Sequence, residues 1–286
     1  METQFSDVNR ISLRSIARHA VLDALSIYSR TSGKMDQSLR ANRVQFLYFH
    51  HVFRDEEENF RKLLSTFSKT HCFISYSEGV ERIRSGNIDK PYLTVSFDDG
   101  IKNCMRATNI MDELGIKGCF FVCPGVVGEH DPVKIAAFTK TIGMPPIDYL
   151  DWDDIEVMLK NGHEIGGHTM SHSNLALDSR EKLEEEIGGS YDVLVRELGS
   201  VAHFAWPFGR FSNFSAGAAE VVFGCGYKTC ASAERGCHAK KVENPHNFCI
   251  RRDHILPSWP LSHIQYLLAQ NYQVAGNENG SWPKGW

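Results

Sequence analysis

Leu93-Thr94-Val95-Ser96-Phe97-Asp98-Asp99-Gly100 is an apolar run that stops abruptly at two adjacent carboxylates and a glycine. The apolar part is rich in β-branched and aromatic residues and is too short for a buried helix, so it reads as a strand over 92–97. Residues 101–114 carry a helical period that stops at Gly115, and 116–122 is a second apolar run. Strand, helix, strand in this order makes one unit of a parallel sheet.

The pattern repeats on both sides. Strands are predicted at 44–49, 72–74, 163–167, 204–206, 227–231 and 248–252. Helices are predicted at 55–69, at 178–198, at 214–224, near 261–271 and behind the cap Asp151, where the helix ends at Gly162. Ser75 and Glu78 have capping-box spacing. About seven such units in succession suggest an α/β fold of the distorted (β/α)7-type barrel class. Residues 124–148 contain several prolines and glycines and read as a long loop. No composition break divides the run, so one domain is expected over 43–275. Before it, 1–42 holds an amphipathic helix and a polar linker; after it, 276–286 is a loose tail.

The N-terminal helix is expected at 8–28. Leu13, Ile16, Ala17, Ala20, Val21, Ala24, Ile27 and Tyr28 form its apolar stripe, with Arg14 and Arg18 on the other side. Such a stripe ordinarily packs on the main domain; the sharper reading is peripheral contact with membrane lipid.

The chain has 286 residues, a hydrophobic fraction of 42% and a formal net charge of −4. That supports a large core and excludes the basic footprint of a nucleic-acid binder. No apolar stretch reaches the ~20 residues of a membrane span. The eight cysteines lack the CxxC spacing of zinc ribbons and redox motifs, and no long apolar leader is visible. Reduced thiols in a cytoplasmic protein are therefore expected, membrane-associated if the N-terminal helix touches lipid.

Three segments carry chemistry. In α/β barrels, catalytic groups sit where strands end, which is where Asp98 and Asp99 fall. Two adjacent carboxylates repel unless a cation lies beside them, and a metal on one would leave the other free as a base. A helix cap would account for one aspartate but not for the pair. Next comes Gly162-His163-Glu164-Ile165-Gly166-Gly167-His168-Thr169-Met170-Ser171-His172. If 168–172 turns helically, His168 and His172 project from one face and can share a metal with a carboxylate, leaving positions open for water and substrate. Third is Phe204-Ala205-Trp206-Pro207-Phe208-Gly209-Arg210, which taken alone is a strand-to-helix turn.

Together, in this order, these segments resemble the motifs of the polysaccharide deacetylase family, the NodB-like enzymes of carbohydrate esterase family 4. SerPheAspAspGly is similar to the family's first motif, GlyHisThrMetSerHis to its second, and TrpProPheGlyArg to its third; Phe49-His50-His51-Val52 resembles its lead-in. The resemblance covers about residues 44–256. It implies one divalent metal, for which zinc suits a His₂Asp set, held by Asp99, His168 and His172, with Asp98 as catalytic base. The sequence departs from the family in two places. Ala205 stands where the better-known third motif has an arginine, so Arg210, Arg251 or Arg252 is left to supply a cation near Asp98. The late histidine motif that gives the general acid has no clean match, and His254 is the nearest candidate. Trp206, Pro207, Phe208, Gly209, Arg210 and Arg252 are read as substrate-binding, with Trp206, Phe208 and Tyr149 as flat surfaces for sugar rings.

The expected function is metal-dependent N-deacetylation of an N-acylated sugar or glycan, lipid-linked if the basic N-terminal helix is a guide. One alternative keeps the site and changes the substrate, to a formamido-sugar on a lipid carrier or a small non-sugar amide. Another is an inactive sugar-binding protein. A lost ligand or base would mark that case, and Asp98, Asp99, His168 and His172 are all present.

Overall fold

The computed structural model describes residues 4–5, 13–176, 178–242 and 249–275. The predicted helix start at 8–12 and the tail at 276–286 lie outside the described residues.

Two helices, α1 (Leu13–Thr31) and α2 (Lys34–Leu39), precede β1 (Arg43–Phe49). The chain then alternates through α3 (Glu57–Phe67), β2 (Cys72–Phe73), α4 (Tyr76–Ser85), β3 (Pro91–Phe97), α5 (Cys104–Glu113) and β4 (Gly118–Val122). It continues with α6 (Pro132–Thr141), α7 (Trp152–Lys160), β5 (Glu164–Gly167), α8 (Arg180–Leu183) and α9 (Gly189–Leu198). Last come β6 (His203–Ala205), α10 (Ala216–Cys225), β7 (Thr229–Ala231), β8 (Cys249–Ile250), β9 (Arg252–His254) and α11 (Leu261–Ala275).

The strands pair in parallel in the order β8-β7-β6-β5-β4-β3-β1-β9, with β2 beside the lower half of β3. Closure comes from the last strand. One continuous strand is predicted over 248–252, but β8 and β9 are separated by Arg251 and pair on different sides. Cys249 and Ile250 pair with β7, whereas Arg252 and His254 pair with Phe46 and Tyr48 of β1. That split bends the sheet into a nearly closed ring. The ring is a distorted (β/α)7 barrel, thinly paired between β5 and β6, where Gly167 and Phe204 form the single register pair.

β1 is buried along its whole length, as a parallel strand covered on both faces must be. Its residues alternate. Val44 and Phe46 join Tyr92, Cys119, Phe121, Ala205, Ala231 and Ile250 in one apolar cluster. Leu47 and Phe49 join Leu93, Val95, Phe97 and Phe120 in the larger one, against the helices. Phe97 stacks between Phe49 and Phe120, at centroid distances of 5.3 and 5.1 Å. Each such ring contributes roughly 2–3 kcal/mol of burial and fixes the register in which the strand ends meet.

Three expectations are corrected. Residues 124–148 are not all loop: Asp131 accepts the Val133 N–H at 2.9 Å and Pro132 begins α6, where a missing N–H costs nothing. The charged helix at 178–198 is interrupted by a π-turn at Glu184–Gly188. Finally, α1 packs against α2 and α11 inside out. Its contacts are polar: Asp23 to His263 at 2.7 Å, Arg30 to Gln265 at 3.1 Å, Arg18 over the Trp259 ring, and Ser26 and Ser29 buried. Ile16, Ala17, Ala20, Val21, Ala24, Ile27 and Tyr28, the stripe expected to pack, face outward. The side chains of Leu13 and Arg14 lie outside the described residues.

Candidate metal and catalytic site

The site sits at the C-terminal ends of the barrel strands. β3 delivers Asp98, whose backbone N–H donates to the Phe49 carbonyl at 2.9 Å. Asp99 then turns into the left-handed region, with φ 73°. Three other non-glycine residues among those described have positive φ, and all are in the site's loops: Thr169 (63°), His172 (62°) and Phe208 (63°). Strained backbone concentrated in this way is a mark of positions held for function.

His168 and His172 do come together, though not by a helical turn. β5 ends at Gly167, and the segment after it is irregular, with Thr169 and His172 supplying the bend. Gly166 and Gly167 allow it. A Cβ on Gly166 would lie 2.5 Å from the Phe121 ring, and one on Gly167 would lie 2.1 Å from the Tyr227 hydroxyl. The loop is secured by a residue the sequence reading missed. Glu186, buried in the π-turn, accepts the Ser171 N–H at 2.9 Å and hydroxyl at 2.6 Å, and its carbonyl accepts the Met170 N–H. A charged residue in an apparently solvated helix gives no sequence signal for such a role, although π-turns recur at functional sites.

His168 Nδ1 donates to the Ala205 carbonyl at 2.8 Å. That fixes the tautomer and leaves the Nε2 lone pair facing Asp99 Oδ1, 3.3 Å away. His172 Nε2 lies 3.4 Å from the same oxygen. One ligand atom from each of Asp99, His168 and His172 lies within 4.8 Å of the others, and all three residues are buried. Among the described residues Asp99 Oδ1 has no hydrogen-bond donor. A buried carboxylate oxygen between imidazole nitrogens, without a proton to share, fits a cation; His₂Asp is a donor set suited to a divalent ion with open positions.

Beside this cluster, Asp98 is clamped. Arg252 Nη1 and Nη2 donate to its two carboxylate oxygens at 2.7 and 2.8 Å, and Arg252 Nε donates to the Ser232 carbonyl at 2.9 Å. Tyr48 and Phe121 sandwich the guanidinium, at 4.5 and 5.1 Å. Burial pushes the Asp98 carboxyl up, but Arg252 and His168 hold it below the usual range. Asp99 is likewise held down, by His168, His50 and His172 against its burial. Of the three candidate cations, Arg252 meets Asp98; Arg251 donates to the Arg235 carbonyl instead, and Arg210 is exposed.

His254 lies at the rim, stacked on Tyr48 and 3.2 Å from His50 Nδ1. Burial, reinforced by His50, brings its pKa down to about 3, so it is neutral at pH 7.

The third segment divides. Phe208 is 50% exposed, with its ring 4.8 Å from that of His172, and so offers a face at the mouth. Trp206 does not: it is fully buried, stacked on Phe214, with its indole N–H on the Arg210 carbonyl. Pro207 and Gly209 are buried as well, and Tyr149 is buried against Phe138 and Thr139. Arg252 is also fully buried, and both of its terminal nitrogens are used by Asp98, so it presents nothing to a substrate.

The sequence pattern of the polysaccharide deacetylases matches residues 85–229, just over half of the chain. The chain belongs to the polysaccharide deacetylase family. Solved structures agree in fold. IcaB from Ammonifex degensii superposes with a TM-score of 0.65 at 19% identity, covering 80% of this chain and 98% of that one. The Streptococcus pyogenes deacetylase PplD, solved with acetate, gives 0.62 at 18% identity over 80% and 98%. A de-N-acetylase from Aggregatibacter actinomycetemcomitans gives 0.61 at 15% over 79% and 100%. Within this polysaccharide deacetylase family member, the matched segment contains Asp98, Asp99, His168 and His172, whereas Arg252 and His254 lie beyond it.

Proposed function

We propose that this protein is a metal-dependent hydrolase that removes N-acetyl groups from an acetylated glycan. The observation that carries the reading is the buried Asp99–His168–His172 cluster opening beside an aspartate held rigid by an arginine. Asp99, His168 and His172 would hold the ion. A divalent ion held there, zinc by preference for this donor set, would supply polarisation of the acyl carbonyl and a lowered pKa for water.

The chain's own residues supply the rest. Asp98 takes a proton from the attacking water as its oxygen bonds to the acyl carbon. Arg252 holds both carboxylate oxygens, so the carboxylate meets the water in one orientation and stays ionised until the proton arrives. The C–N bond then breaks, and the departing amine takes up a proton. Neutral His254 is not protonated at rest, so Asp98 returns to the amine the proton it took from the water. The products are acetate and a free amine. Phe208 is the one aromatic of its turn with an open face for a sugar ring.

The test is acetate and formate release from a panel of N-acylated sugars and glycans, with a chelator and with zinc restored. Acetate release that stops with the chelator and returns with zinc supports this reading. Release of formate alone moves the substrate to a formamido-sugar, and no release from metal-loaded protein favours a binding protein.

A further inference from the structure

A helix resting on a soluble domain ordinarily turns its apolar side inward, and α1 does the reverse. Ile16 is 55% exposed, Val21 58%, Leu25 40%, Ile27 63% and Tyr28 65%, with Ala17, Ala20 and Ala24 exposed between them. The opposite side carries Asp23, Ser26, Ser29 and Arg30, the residues that face α11 or are buried beneath the helix. The polar side thus fastens the helix, and a continuous apolar stripe stays outside.

Charge decides what that stripe meets. Residues 13–40 contain Arg14, Arg18, Arg30, Lys34 and Arg40 against Asp23 and Asp36, in a chain whose net charge is −4. Asp23 is engaged by His263. An apolar stripe in a locally cationic stretch complements an anionic lipid surface and repels its own copy. Area points the same way. The 19 residues of α1 span roughly 28 Å, so a stripe about 10 Å wide offers on the order of 300 Å². A stable protein dimer needs about 800 Å² from each partner. No described helix is long and apolar enough to cross a membrane.

We propose that α1 lies flat on anionic lipid through this stripe. The anchor is placed near the chemistry: Arg18 rests on Trp259, whose ring is 6.2 Å from that of His254 at the rim of the site. The docked helix therefore starts beside the barrel mouth.

Sedimentation of the full chain with phosphatidylglycerol-containing vesicles tests this, with phosphatidylcholine vesicles and high salt as controls. Binding to the anionic vesicles is expected, weakened by salt. The double variant Val21→Asp/Ile27→Asp should bind at least about tenfold more weakly, with unchanged melting temperature and unchanged turnover on a soluble substrate. Three outcomes overturn the proposal. One is failure of the unaltered chain to bind either vesicle. A dimer in analytical ultracentrifugation that the double variant abolishes would assign the stripe to a second copy. A monomer whose stripe resists labelling would assign it to the chain's own terminal residues.

Discussion

Among the described residues two arginines, Arg43 and Arg252, are fully buried, and they do different work. Arg252 pairs with the Asp98 carboxylate at the mouth. Arg43, at the start of β1, hydrogen-bonds to no carboxylate among the described residues. Its nitrogens donate to the Ser38, Leu39 and Ala41 carbonyls at the end of α2, to Gln45 Oε1 and to His71 Nε2. The surroundings reverse the proton affinities: burial opposes charge on both, but Asp98 raises that of Arg252, whereas burial leaves Arg43 below its ordinary range. Carbonyl dipoles can satisfy a buried guanidinium and lock a helix end in place. A carboxylate partner also fixes where a second reactive group points.

The largest effect should come from the group being pointed. Asp98→Asn should cut turnover by about 10³-fold while zinc binding by the apo protein, measured by calorimetry, is retained. A variant with near-normal turnover would remove Asp98 from the chemistry. Next, Arg252→Met leaves a buried carboxylate alone, which costs about 3–5 kcal/mol in urea unfolding and should lower kcat in every fraction that stays folded. Arg43→Met sharpens the contrast. It strands several carbonyls and should cost about 2–3 kcal/mol, with kcat and KM of the folded enzyme unchanged; equal losses of kcat in the two variants would erase the distinction.

An effect confined to acid pH concerns His238, which pairs its backbone with Val44 next to Arg43 and accepts the Arg251 N–H on Nε2. Burial lowers its pKa from 6.5 to about 4, so the folded state disfavours the proton that the unfolded chain takes up. Its contribution is complete above pH 6.5 and is lost as pH falls to about 4, a loss of roughly 3 kcal/mol. Urea midpoints for His238→Asn across that range should fall less steeply than those of the unaltered protein. Parallel curves would show that acid acts elsewhere.

Much of the barrel was legible because parallel strands buried on both faces must be apolar runs, and helices that cover them must be periodic. The site was legible where chemistry needs rare residue types side by side: Asp98 with Asp99, and His168 near His172. Legibility ended where a partner comes from far along the chain. Arg252 stood among three arginines that the sequence could not rank, and only the pairing of β9 with β1 sets it under Asp98. Glu186 looked like one more charge on a solvated helix. Trp206 looked like a platform, and the 4.3 Å stack with Phe214 makes it core.

The amino-acid sequence by itself determined most of the alternation of strands and helices, and it pointed to the end of β3 as the proposed place for chemistry and to the residue types gathered there. These follow from local periodicity and from side-chain chemistry. The tertiary structure decided that β8 and β9 split to close the ring, that a strained loop brings the two histidines together, and that α1 turns its apolar stripe outward. Each of these depends on which distant surfaces meet, and no stretch of sequence carries that alone.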